Sequence, residues 1–70
     1  MIDERTLPIY LQKDIEWLNS LKKTDLAYGD VWCELYGSIN GAQWDNEISE
    51  SVADYLREKY LGLTYGDGAN

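Results

Sequence analysis

Histidine is missing from this sequence, and cysteine occurs once, at Cys33. Those two facts remove the Cys/His zinc sites, the Cys-His dyad and the Ser-His-Asp triad from the chemistry that one chain of this kind can assemble. A lone cysteine also forms no internal disulfide, whereas secreted domains of this length usually carry several, so a reducing cytoplasm is the expected compartment. Cations are scarce. Against 13 Asp plus Glu stand 6 Lys plus Arg, a net charge of −7, and direct binding to nucleic-acid phosphates or to an anionic membrane works against that repulsion. No apolar run approaches the roughly 18 residues that a membrane span requires, and the acidic start Asp3-Glu4 is unlike the basic start of a signal peptide.

What is present suits one small folded unit. Seventy residues, 44% of them apolar, give a single thin core. Leu7, Leu11, Ile15, Leu18 and Leu21 step by 4, 4, 3 and 3, which predicts a first helix over about 6–23 with Thr6 as its N-cap and Pro8 in its first turn. Lys22 and Lys23 would then face the negative end of the helix dipole. A short segment containing Leu26 and Tyr28 is expected to set both side chains on the core. Asp30 is the expected N-cap of a second helix over 30–44, whose buried series is Val31, Leu35, Ile39 and Ala42. A third helix is expected over 49–61, with Ser49 as N-cap, Ile48 stapled near Ala53, and Gly62 as a left-handed C-cap. No alternating apolar and polar run reads as a strand. The expectation is an all-α, three-helix domain over 1–63, followed by a flexible Gly-rich tail over 64–70.

The charge is unevenly spread. Residues 1–23 carry four acids and four bases, and residues 57–70 two of each, so the whole −7 falls between 24 and 56. That window holds Asp25, Asp30, Glu34, Asp45, Glu47, Glu50 and Asp54 and no Lys or Arg. Acids at N-caps and in first turns stabilise helices and aid solubility, which accounts for some of them. The asymmetry also marks a candidate docking face for a basic partner, in its sharpest form a nucleic-acid-binding protein deceived by an acidic mimic.

The nine aromatics are three Trp and six Tyr without a single Phe. Both residue types bury an apolar body while keeping a polar tip wet, as binding hot spots require. Trp17, Trp32, Tyr55 and Tyr60 lie on or beside apolar stripes and are expected in the core. Trp44, next to Asp45 and Glu47, is the candidate anchor. The partner-binding set is therefore Asp30, Glu34, Trp44, Asp45, Glu47, Glu50 and Asp54. Gly37, Ser38, Gly41 and Ala42 form a second candidate, a nearly side-chain-free patch for close helix packing or homo-oligomerisation.

Catalytic and metal readings are poorer. A calcium loop starting at Asp45 would put Glu50 where glycine is needed and Leu56 where the bidentate acid belongs. A Gly37-to-Gly41 phosphate loop lacks its lysine and its strand. Cys33, between Trp32 and Glu34, reads as a buried structural thiol. The chain is thus expected to be non-enzymatic, to take no cofactor or metal, and to act by binding another protein.

Overall fold

The computed structural model describes residues 3–63. They form one 3-10 turn, Glu4–Thr6, and three α-helices: α1 (Ile9–Asn19), α2 (Tyr28–Trp44) and α3 (Glu50–Leu61). No strand occurs among the described residues, and the expected all-α three-helix architecture is the observed one. The tail expected over 64–70 lies outside the described residues.

α1 is shorter at both ends than its apolar stripe suggests. Proline disfavours helical geometry in the residue before it, and Leu7 is extended, with φ −69° and ψ 155°. Thr6 therefore closes the 3-10 turn, its hydroxyl donating to the Asp3 carbonyl at 2.7 Å, and does not cap α1. Pro8 takes the cap position, and its carbonyl accepts from the Leu11 and Gln12 N–H groups. At the other end the Ser20 hydroxyl donates to the Trp17 carbonyl at 2.6 Å. Asp25 then accepts from the Lys22 N–H at 2.8 Å, closing a turn that places both lysines beyond the helix.

α2 begins earlier than expected. Tyr28 N–H donates to the Asp25 carbonyl and Val31 N–H to that of Ala27, so the chain is already coiled before Asp30. Asp30 lies in the first turn, where its charge still complements the dipole, but it is not the N-cap. Leu26, expected in the core, is fully exposed on the connecting loop, while Tyr28 packs against the core edge. α3 follows the sequence closely. The Ser49 hydroxyl accepts from the Val52 N–H at 3.2 Å, Ile48 is buried in the same cluster as Ala53, and Gly62 takes φ 71°. Glycine adopts that left-handed conformation without a Cβ penalty, and its N–H returns to the Arg57 carbonyl.

Leu11, Ile15 and Leu18 of α1, Val31, Leu35, Ile39 and Ala42 of α2, and Ala53, Leu56 and Leu61 of α3 meet in one cluster, with Leu7 and Ile48 closing its ends. α2 is the shared partner, packing against both α1 and α3. The molecule measures 33 × 30 × 21 Å, about two helix diameters at its thinnest.

One charge lies inside the α2–α3 seam. Arg57 is buried, and its guanidinium donates to Asn40 Oδ1 at 2.5 and 3.2 Å, to Gln43 Oε1 at 2.7 Å and to Asp54 Oδ1 at 2.9 Å. Among the described residues no buried side-chain nitrogen or oxygen lacks a partner. A second cluster fastens the N-terminal turn to α3, where Glu4 accepts from Lys59 Nζ at 2.7 Å, Tyr60 Oη at 2.5 Å and Tyr55 Oη at 3.1 Å. Partial burial pushes the Glu4 carboxyl upward, but the hydrogen bonds from Lys59, Tyr60 and Tyr55 together outweigh it and hold the group below its ordinary value.

Candidate interaction face

Successive residues of a helix are rotated by about 100°, so the buried series of α2 fixes where the rest of that helix points. Asp30, Glu34, Gly37, Gly41 and Trp44 step by 4, 3, 4 and 3 along the side turned away from the core, and all five are exposed. Cys33 lies about 200° from Val31 on the same helix by that rotation and is exposed as well, which corrects the expected buried thiol.

The flank of this stripe is completed by α1. Asp14 accepts from the Ser38 hydroxyl at 2.7 Å, and Tyr10 donates to Glu47 Oε1 at 2.5 Å. Those two bridges fix the side of α1 that adjoins α2. Tyr10, Asp14 and Trp17 form an i, i+4, i+7 line on that side. Trp17 was expected in the core but is 48% exposed, because it stands about 100° from Leu18 at the edge of the stripe. Trp32, Tyr55 and Tyr60, expected there too, do pack against the core from its edge.

The result is an open face with rings at both ends and little between them. Tyr10 and Trp44, with Asp45 and Glu47, stand at one end; Trp17, with Asp30 and Glu34, stands at the other. Trp44 is 86% exposed. The glycines form the floor. A Cβ added at Gly37 or Gly41 would meet nothing within 4 Å, so no packing inside the chain requires a glycine at either position. Ser38 and Ala42, grouped with them by sequence, turn the other way: Ala42 is buried and Ser38 is held by Asp14. The four small residues are divided between two sides of α2.

The seven partner-binding residues are divided as well. Asp30, Glu34, Trp44, Asp45, Glu47 and Glu50 are exposed, while Asp54 is turned into the α2–α3 seam by its ion pair with Arg57. Glu47 turns toward α1 through Tyr10, and Glu50 lies in the first turn of α3. The hydrogen bond to Glu47, with smaller contributions from burial and from the nearby charges of Glu47 and Asp45, pushes the Tyr10 hydroxyl up to about 12. The phenol therefore stays protonated and able to donate at neutral pH.

Sequence reasoning overlooked Arg57, Glu4 and Tyr10. Arg57 was visible in principle, since it shares a helical face with Ala53, Leu56 and Tyr60, and a cation on an apolar stripe requires partners. Glu4 and Tyr10 had no such signal, because their partners are 37 to 56 positions away. No group of three or more His, Cys, Asp or Glu side chains among the described residues is arranged to hold a metal ion, and no helix among them is long and apolar enough to cross a membrane. Comparison of the chain with known protein families, with curated proteins and with solved structures gives no match.

Proposed function

We propose that this chain is a non-enzymatic protein-interaction module that docks a basic segment of another protein across the outer face of α2. The observation that carries the reading is Trp44, a large apolar side chain left 86% exposed among carboxylates. Burying its ring against a partner is worth roughly 4 kcal/mol at ~25 cal/mol per Å². The carboxylates at both ends steer a cationic partner, and the glycine floor between them allows its backbone to approach closely.

Charge spacing refines the choice of partner. Asp30 to Asp45 spans about 22 Å along the helix, and the stretch between Glu34 and Asp45, about 16 Å, carries no acid on that stripe. A single nucleic-acid strand presents a phosphate about every 3.4 Å. Four carboxylates, Asp30, Glu34, Asp45 and Glu47, are too sparse to imitate that, so the face suits a basic helix better than it imitates nucleic acid. A second copy of the chain is disfavoured by the same residues, since a two-fold interface through this stripe would set Asp30, Glu34 and Asp45 against their equals. An exposed lone thiol at Cys33 suits a reducing compartment such as the cytoplasm.

The test is comparative capture from a cell lysate. Immobilised wild-type chain and a variant carrying Asp30→Lys, Glu34→Lys and Asp45→Lys are washed at low and at high salt. A basic protein retained by the wild type, released by salt and lost from the variant supports the reading. An identical captured set for both chains defeats it.

A further inference from the structure

At the end of the bundle remote from Trp44, the last turns of α1 and α3 and the first turn of α2 diverge around an open cleft of about 550 Å³. Its walls carry three rings, Tyr28, Trp32 and Tyr60, above the apolar side chains of Leu18 and Leu61. Trp32 is held in place on two sides: its indole N–H donates to the Leu61 carbonyl at 3.3 Å, and its ring stacks on Tyr36 with centroids 5.7 Å apart.

The cleft is also the exception to the charge of the molecule. Of the six Lys plus Arg in a chain of net charge −7, Lys23 and Lys59 line it, and among the described residues no Asp or Glu does. Lys59 is engaged by Glu4 and lies over the Tyr55 and Tyr60 rings at 5.4 and 5.1 Å. Lys23 has no ion-pair or hydrogen-bond partner among the described residues.

We infer that this cleft binds a small planar aromatic carboxylate, its ring among Tyr28, Trp32 and Tyr60 and its anionic group at Lys23. The rings select an aromatic body, the Lys23 ammonium selects an anion because Lys59 is already neutralised by Glu4, and the volume falls in the range of small-molecule sites. The negative charge of the whole chain disfavours a nucleic acid or an anionic membrane as the source of that anion. The acidic face of α2 plays no part, so the two proposals stand or fall separately.

Indole-3-acetate serves as the probe, and indole as its neutral counterpart. Each is titrated into the full-length protein while backbone amide NMR shifts are followed. Saturable shifts confined to Leu18–Lys23, Tyr28–Trp32 and Lys59–Gly62 are expected, with indole-3-acetate bound about 1.5- to 5-fold more tightly than indole, the range of one solvent-accessible charge contact. Lys23→Ala, at an exposed loop position, should erase that preference while leaving indole binding unchanged. Equal binding of the two probes, an undiminished preference in Lys23→Ala, shifts centred on Trp44, or no saturation up to about 10 mM, an affinity of under ~3 kcal/mol, would each overturn the assignment.

Discussion

Along α2, Val31, Leu35, Ile39 and Ala42 turn inward and are buried, while Asp30, Glu34, Gly37, Gly41 and Trp44 turn outward on the same seventeen residues. The inward side follows the rules of a core. Its apolar groups are out of water, and the one buried charge among the described residues, Arg57, meets three side-chain acceptors. The outward side follows none of them. It carries two glycines in a helix interior without any neighbour that needs them, and a tryptophan in solvent. Each glycine costs a helix about 1 kcal/mol relative to alanine, so what the inner face contributes to stability the outer face partly gives back. Folding of the free chain does not account for those residues, and under the proposed function they are contacts for a partner.

The largest expected effect comes from breaking the inner side. Arg57→Met removes the donor shared by Asn40, Gln43 and Asp54 while retaining apolar bulk in the seam. Loss of a buried charge partner costs roughly 2–4 kcal/mol, which for a domain of this size lowers Tm by about 10–20 °C. Thermal unfolding followed by circular dichroism checks this. An unchanged Tm would mean that apolar contacts alone hold α3 against α2.

How legible the molecule was in its sequence follows the same division. The inward side was readable because burial imposes a period: Val31, Leu35, Ile39 and Ala42, the Ser49 cap and the Gly62 cap are all local patterns, and all stand where the pattern puts them. The departures occur where a local rule met a stronger neighbour. Pro8 forces Leu7 to be extended and delays α1, and the turn closed by Lys22 and Asp25 leaves Leu26 in solvent. The outward side was readable as composition but not as arrangement. The acids between 24 and 56 were evident from counting, and the parting of Ala42 from Gly37 and Gly41 was implicit in the helical period; that Asp54 belongs to Arg57 and Ser38 to Asp14 required α3 and α1 to be in place.

Filling the outer side should raise stability. In Gly37→Ala with Gly41→Ala each new methyl meets nothing within 4 Å, so only the helix propensity changes, and together they should add about 1–2 kcal/mol, or roughly 5–12 °C in Tm. The same double variant should bind a partner more weakly, because the methyls fill the floor. A gain in stability with undiminished capture of the partner would show that the floor is not a contact surface.

A smaller, pH-dependent effect is expected where the N-terminal turn is tied to α3, an attachment that belongs to neither face of α2. Glu4 sits below its ordinary value of 4.5 in the folded protein, so its contribution to stability is present above that value and is lost as pH falls through the lower, folded one. Glu4→Gln should therefore lower Tm at neutral pH and make it less sensitive to acid, the two curves converging once the pH has fallen below the lowered, folded value. Parallel curves would show that the Lys59, Tyr55 and Tyr60 contacts to Glu4 are neutral in solution.

Trp44→Ala should do almost nothing to the free molecule, and that is its value. At 86% exposure the ring has little burial to lose, and surface substitutions away from caps and cores fall within about 0.5 kcal/mol. Alanine is also the better helix former in the last turn of α2, so any small change should be a gain. Binding should respond in the opposite sense. Truncating an aromatic anchor costs about 2 kcal/mol or more, about a thirtyfold loss of affinity by that arithmetic. Equal Tm with lost capture places Trp44 at the contact. A fall in Tm of more than about 4 °C, corresponding to ~1 kcal/mol or less, would instead return the tryptophan to the folding of the chain and leave the outer face without an anchor.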